Sequence, residues 1–266
     1  MDRFALRADR RLGQHFLLET NLLAKIARAA GGLEGRTVLE IGPGPGGLSR
    51  ALLEAGCAVL VAVERDPRCV AALRELERAA PDRFRLVEAD ALALDLDRLI
   101  EGRFSIVANL PYNIATPLLT GWLDQVGRID GMTLMFQREV ADRLVAGPGG
   151  KAYGRLSVLV QWLCRAETVF HLPARAFLPP PKVASSVVRL VPRPAPLAPA
   201  DRRHLERVTA AAFGQRRKML RQSLKALGRP VDALLHQAAL PPTARAEEID
   251  VAGFCRLAEA LRRSGG

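Results

Sequence analysis

A chain of 266 residues, 49% hydrophobic and 25% charged, is long enough to bury a full core and has the composition of a globular protein. Its formal net charge of +11, with 34 arginines among 39 basic residues, suits a polyanionic partner, although solvated arginine faces would give the same excess. No run nears the roughly 18 apolar residues of a membrane span, and Cys57, Cys69, Cys164 and Cys255 form no Cys-x-x-Cys or Cys/His cluster, so no membrane, zinc site or disulfide framework is expected.

The opening stretch MDRFALRADRRLGQHF mixes Asp2 and Asp9 with its arginines and lacks an apolar centre, so neither a signal nor a transit peptide is read there, and a reducing cytoplasm is the expected location. From about Leu17 to Arg28 apolar side chains recur at helical spacing, after which short apolar runs alternate with helical patterns. TVLEI is a strand that enters a glycine turn, GLSRALLEAG a helix stopped by Gly56, and AVLVAVE the next strand. PRCVAALRELERAA reads as a helix, RFRLVEAD as a strand ending at Asp90, and Phe104–Ala108 as a fourth strand that stops on Asn109-Leu110-Pro111-Tyr112. Such alternation implies a parallel sheet with helices on both faces, whose ligands gather at the carboxyl ends of the strands.

Further on, MTLMFQREVADRLV reads as strand into helix, LSVLVQWLCRAETVFHL as helix into strand, and FLPPPKVASSVVRLVP as a proline-stiffened loop and a strand. PRPAPLAPA, residues 192–200, has the composition of a linker. Beyond it only helical patterns remain, so the expected domains are an α/β domain over 1–191 and a small helical domain over 192–266. The charge excess is +4 through Val191 and +7 after it, which makes the helical part the more basic per residue.

Three stretches carry chemistry. In LEIGPGPGG, Gly42, Gly44 and Gly47 satisfy G-x-G-x-x-G between strand and helix, with Glu64 about 20 residues on, a nucleotide-binding pattern in which the carboxylate can accept ribose hydroxyls. Glu40 ahead of the loop suits a cationic aminoacyl group, and Pro43 and Pro45 remove donors that a pyrophosphate would use, which favours S-adenosylmethionine over a dinucleotide. Asp90 either receives an exocyclic adenine amine or caps the following turn. At Asn109-Leu-Pro-Tyr112, the amide oxygen and the Leu110 carbonyl can accept the two hydrogens of an adenine amine, Pro111 stiffens the turn, and Tyr112 offers a stacking face. The chemistry would then be positioning and electrostatics rather than strong base catalysis.

These stretches, with GQHFL (Gly13 to Leu17), VERD, EAD, RLVAGPGGKAYGRLSVLVQ, FLPPPKVASSVVRL and AFGQRRKMLRQSL, resemble the KsgA/RsmA-type small-subunit ribosomal RNA adenine dimethyltransferases over nearly the whole chain. The resemblance implies a Rossmann-like class I methyltransferase sheet with a helical C-terminal domain. It implies S-adenosyl-L-methionine as cofactor, held by His15, Leu17, Gly42, Glu64, Asp90 and Asn109. Asn109, Leu110, Pro111 and Tyr112 match the target-amine motif, and Phe177 matches an aromatic that stacks on the flipped adenine. His15 stands where many members have Asn, and Ser49 where Thr is usual. The implied substrate is a pair of adjacent adenosines in the 3′-terminal hairpin loop of small-subunit rRNA within a 30S assembly intermediate, each dimethylated at N6, with a monomer as the default state.

Arg143, Lys151, Arg155, Arg216, Arg217, Lys218 and Arg221 are then expected to track RNA phosphates, the last four from the helical face QRRKMLR and the others near a mobile AGPGGKAYG loop. Competing expectations are a large-subunit rRNA adenine methylase, a non-catalytic assembly or transcription factor on the same fold and, on the glycine loop alone, a dinucleotide oxidoreductase.

Overall fold

The computed structural model describes residues 15–17 and 19–264. Gly13 and Gln14 of the GQHFL stretch lie outside the described residues. A short strand β1 (Phe16–Leu17) and helix α1 (Thr20–Ala29) precede the alternating elements β2 (Thr37–Ile41), α2 (Gly47–Glu54), β3 (Val59–Glu64), α3 (Pro67–Ala79) and β4 (Phe84–Glu88). There follow α4 (Leu96–Leu99), β5 (Phe104–Asn109), α5 (Ala115–Trp122), β6 (Ile129–Gln137), α6 (Arg138–Val145), α7 (Arg155–Leu163), β7 (Cys164–Leu172), β8 (Phe177–Leu178) and β9 (Ser185–Pro192). The C-terminal helices are α8 (Arg202–Gly214), α9 (Leu220–Ser223), α10 (Val231–Gln237) and α11 (Val251–Ser264).

Among the described residues the main sheet has seven strands in the order β4-β3-β2-β5-β6-β9-β7. The strands from β4 to β6 run parallel, as the alternation implies. β9 inserts antiparallel beside β6, so the sheet is mixed rather than all parallel. The central parallel strands β3 and β5 are buried on both faces, which is why VLVAV reads as an unbroken apolar run and FSIVA is broken only by Ser105. Leu60, Ala62, Ile106 and Val107 are fully buried. The order reverses between β3-β2 and β5-β6, and this switch point opens a crevice at the strand ends that carry Glu64 and Asn109. Local signals set the elements around it. Pro67 occupies the first turn of α3, and the Asp66 side chain accepts from the Arg68 amide. β1 pairs antiparallel with β8, Phe16 opposite Leu178 and Leu17 opposite Phe177.

The chain divides into two compact units, one of residues 1–141 and 167–192, the other of 142–166 and 193–266. The second unit therefore contains more than the expected 192–266. Helix α7 packs on α8 and α11, and Tyr153, Phe213 and Phe254 form an aromatic cluster with centroid spacings of 5.9 and 5.4 Å. The proline-rich stretch is laid against α7 rather than hanging free. Leu197 N donates to the Trp162 carbonyl, and Trp162 Nε1 to that of Ala198, both at 2.8 Å.

The expected mobile loop is also fastened: Gly149 N donates to the Glu247 carbonyl at 2.7 Å, and Arg216 binds both the Glu247 carboxylate (2.7 Å) and the Gly150 carbonyl (3.1 Å). QRRKMLR is not a helical face, because Gln215–Met219 forms a turn between α8 and α9. All four cysteines are buried, and burial pushes the thiols of Cys69, Cys164 and Cys255 up to about 12. No helix among the described residues is long and apolar enough to cross a membrane.

Candidate active site

The crevice is walled by β1, the glycine loop, the tip of β3 and the Asn109–Ile114 turn. The loop's hydrogen bonds decide what it can hold. Pro43 and Pro45 have no amide hydrogen. Gly42 N donates to the Val63 carbonyl (2.9 Å), Gly46 N to that of Pro43 (3.0 Å) and Gly44 N to Glu64 Oε2 (3.0 Å). From Gly42 to Gly46 the loop thus has no free amide for a pyrophosphate, and only the first amides of α2, from Gly47 on, remain. Its φ of +57° at Gly44 and the Phe16 ring, 2.9 Å from where a Cβ would stand, reserve that position for glycine.

Glu64 is 5% exposed. Its Oε1 accepts from the amides of Arg65 (2.8 Å) and Asp66 (2.9 Å), so with Gly44 three of about four acceptor positions are filled, and Oε2 is the freer oxygen. Burial raises its pKa, and the amide bonds from Asp66, Gly44 and Arg65 oppose the rise.

Glu40 lies deeper, 1% exposed, with Ser49 Oγ donating to it at 2.6 Å. Desolvation pushes its pKa up to about 8 against the Ser49 bond, with a further push from the Glu64 charge. In the folded chain this carboxyl stays protonated through the range, from about 4.5 to about 8, in which the unfolded chain ionises it. The native state then binds more protons, so the contribution to stability is complete below about 4.5 and is lost as pH rises to about 8. Glu40→Gln is expected to melt at least about 3 °C above the wild type at pH 8 and level with it near pH 4.5. Differential scanning calorimetry across that range checks this, and equal midpoints at pH 8 would contradict it.

Across the crevice, Asn109 Nδ2 donates to the His15 carbonyl at 3.2 Å. That bond fixes the carboxamide with its oxygen as the unoccupied end, because two oxygens would repel. The His15 ring stacks on Tyr112 with centroids 5.5 Å apart, and its Nδ1–H donates to the Pro179 carbonyl at 2.8 Å, setting the tautomer. Leu110 is buried at 1% exposure, and Ile114 N closes the turn on the Pro111 carbonyl at 3.1 Å. Tyr112 is half-buried, and its hydroxyl lies 2.6 Å from Ser185 Oγ at the start of β9. Burial raises the phenol's pKa against that bond, so the ring stays neutral. Ser185→Ala is expected to lower kcat about fivefold, since one hydrogen bond holds the ring. In a Tyr112→Phe background it should cost nothing further, and a full additional loss in the double variant would contradict the coupling.

The crevice brings together His15, Leu17, Gly42, Glu64 and Asn109 through Tyr112. Two expected residues stand apart. Asp90 caps the short turn Ala91–Ala93, its Oδ1 accepting from Leu92 N at 3.0 Å, and its other oxygen takes Arg65 Nη1, itself at the crevice, at 3.1 Å in an exposed pair. Phe177, matched to a base-stacking aromatic, is 3% exposed and packs in the core with Leu17, Met135, Leu172 and Val187. Of the expected phosphate-tracking residues, Arg143, Lys151, Arg155, Arg217, Lys218 and Arg221 are exposed, whereas Arg216 is tied to Glu247 and Gly150. Phe16, Arg65 and Ser185 are additions. Phe16 sits in the GQHFL stretch but carries no polar or ionisable group that would mark it, and Ser185 reaches Tyr112 only through the fold.

A sheet of this order with an acidic residue at the tip of β3 and the Gly42, Gly44 and Gly46 amides already spent within the fold defines a Rossmann-like class I methyltransferase. More specifically, the chain belongs to the ribosomal RNA adenine dimethylase family, whose model matches residues 5–263. It is similar to the "Ribosomal RNA small subunit methyltransferase A" proteins of Rhodospirillum rubrum, at 56% identity over 98% of this chain and 90% of that one, and of Azorhizobium caulinodans, at 56% over 98% and 91%. Among solved structures it resembles the 23S rRNA methyltransferase ErmE, 28% identical with a TM-score of 0.70 over 93% of this chain and 99% of that one. It also shares its fold with a dimethyladenosine transferase from Plasmodium falciparum, 24% identical with a TM-score of 0.81 over 94% and 98%.

Proposed function

We propose that this chain dimethylates N6 of two adjacent adenosines in the 3′-terminal hairpin loop of small-subunit rRNA, acting as a cytoplasmic monomer on a 30S assembly intermediate. The observation that carries the reading is the Asn109 carboxamide, oriented by the His15 carbonyl so that its oxygen is offered to the crevice. The name shared by the 56% identical relatives favours the small subunit over the large.

The walls fit S-adenosylmethionine. The Gly42, Gly44 and Gly46 amides are spent within the fold, Glu64 Oε2 keeps one acceptor position beside its bond from Gly44 N for a ribose hydroxyl, and Glu40 is a buried acid that a cationic aminoacyl group would ionise. When bound, the cofactor supplies an electrophilic methyl group on a sulfonium.

The chain's own residues make the target amine reactive. An exocyclic adenine nitrogen is a weak nucleophile because its lone pair is delocalised into the ring. Asn109 Oδ1 and the Leu110 carbonyl accept its two hydrogens and favour a pyramidal nitrogen, while Tyr112, braced by His15 and Ser185, stacks on the base. No strong base is needed, because the nitrogen becomes acidic only after it is alkylated. For a second transfer one of the two acceptors must tolerate a methyl group in place of a hydrogen. The exposed Arg143, Lys151, Arg155, Arg217, Lys218 and Arg221 would hold RNA phosphates.

Small subunits lacking adenine dimethylation, incubated with protein and labelled S-adenosylmethionine, are expected to take up label while large subunits take up none. Uptake by large subunits alone would transfer the reading to the large-subunit methylases. Binding of subunits without any transfer would favour the non-catalytic factor.

A further inference from the structure

At the opposite, amino-terminal ends of the strands the first unit has a second cavity, of about 190 Å3, between the sheet and the chain that leaves α1. Its floor comes from β5 and β6. Their register slips there, Phe104 facing Ile129 but Ser105 facing Gly131, which leaves Asp130 out of the ladder and opens the sheet. Ser105 and Thr133 line this floor at 5% and 2% exposure, and neither hydroxyl has a hydrogen-bond partner among the described residues. Both hydroxyls therefore open onto the cavity and are available to a ligand or to water there.

The rim carries Arg36 and Arg189, over Gly32 and Gly31 respectively. Asp130 is paired closely with Arg103 at 2.6 Å and lies 4.0 Å from Arg36, while Glu167 comes no nearer to Arg189 than 3.9 Å. Three guanidiniums against two carboxylates leave the cavity positive.

We infer that this cavity binds a compact oxyanion of the phosphate class, with Arg36 and Arg189 at its rim and the Ser105 and Thr133 hydroxyls donating from its floor. The donor set is that of a phosphate site: planar guanidiniums for charge and geometry, and hydroxyls that turn to suit. The inference is independent of the methyltransferase reading, since the cavity shares no residue with the crevice.

The test is titration of the full-length protein with inorganic phosphate at constant ionic strength, followed by calorimetry and phosphorus NMR. The wild type, the near-isosteric Ser105→Ala/Thr133→Val double variant and the surface variant Arg189→Gln are compared. Saturable binding that weakens about tenfold or more in both variants, with S-adenosylmethionine binding unchanged as a check on folding, is the expected result. Phosphate binding that is absent, or equal in wild type and double variant, would overturn the inference. A matched pair of RNA oligonucleotides, one ending in a 5′-phosphate and one in a 5′-hydroxyl, separates the sources. A preference for the phosphorylated end that the double variant loses assigns the site to an RNA terminus. No preference, with inorganic phosphate binding still lost in the variants, assigns it to a free phosphate compound.

Discussion

Asn109→Ala is expected to lower the single-turnover rate of methyl transfer by about 10²–10³-fold, the scale on which an enzyme loses a preorganised polar group aimed at the reacting atom. Two things disappear together: the acceptor for one amine hydrogen and the Nδ2 bond to the His15 carbonyl that ties β1 to the end of β5. RNA binding should be unchanged. Asn109→Asp separates the two contributions. It keeps an oxygen acceptor but sets a carboxylate against the His15 carbonyl, so it should fall between wild type and alanine. A rate within about threefold of wild type for Asn109→Ala would refute the assignment of the amine pocket.

The second large effect is on cofactor affinity. Glu64→Ala is expected to weaken S-adenosylmethionine binding by about 100-fold or more, measured by calorimetry. The side chain offers Oε2 to the crevice, and it also satisfies the amides of Gly44, Arg65 and Asp66. Its removal takes away a charge-assisted bond, worth about 1.5–3 kcal/mol, and leaves three donors at a buried turn without an acceptor. Glu64→Gln retains one acceptor oxygen but sets an NH₂ against at least one of those amides, so its loss should be intermediate. Unchanged affinity in Glu64→Ala would mean that the carboxylate serves the loop alone.

Much of this was legible in the sequence for physical reasons. The buried run of β3 and the regular alternation of short strand patterns with helical ones around it let the succession from β2 to β5 be read directly, and with it the edge on which Gly42, Glu64 and Asn109 meet. The prolines of the loop carried their meaning locally, because a missing amide hydrogen is a property of the residue.

What could not be read depends on residues far apart in the chain. Asn109 and His15 are separated by 94 positions and Tyr112 and Ser185 by 73, and no local pattern announces such pairs. Arg216 looked like any basic surface residue until Glu247 took it up. The antiparallel entry of β9 and the allegiance of 142–166 to the second unit are set by tertiary packing. Phe177 shows the opposite difficulty. An aromatic beside a proline loop suits either stacking or core, and nothing local in the sequence says that it is buried beside Leu17.

The central claim is that the crevice presents an adenine amine of small-subunit rRNA for dimethylation, and mass-spectrometric mapping of the modified nucleotides tests it most directly. After reaction of the wild-type protein with unmodified small subunits and S-adenosylmethionine, two neighbouring N6,N6-dimethyladenosines in the 3′-terminal hairpin loop are the predicted product. Methyl groups confined to another nucleotide type, or to adenosines outside that loop, would contradict the account.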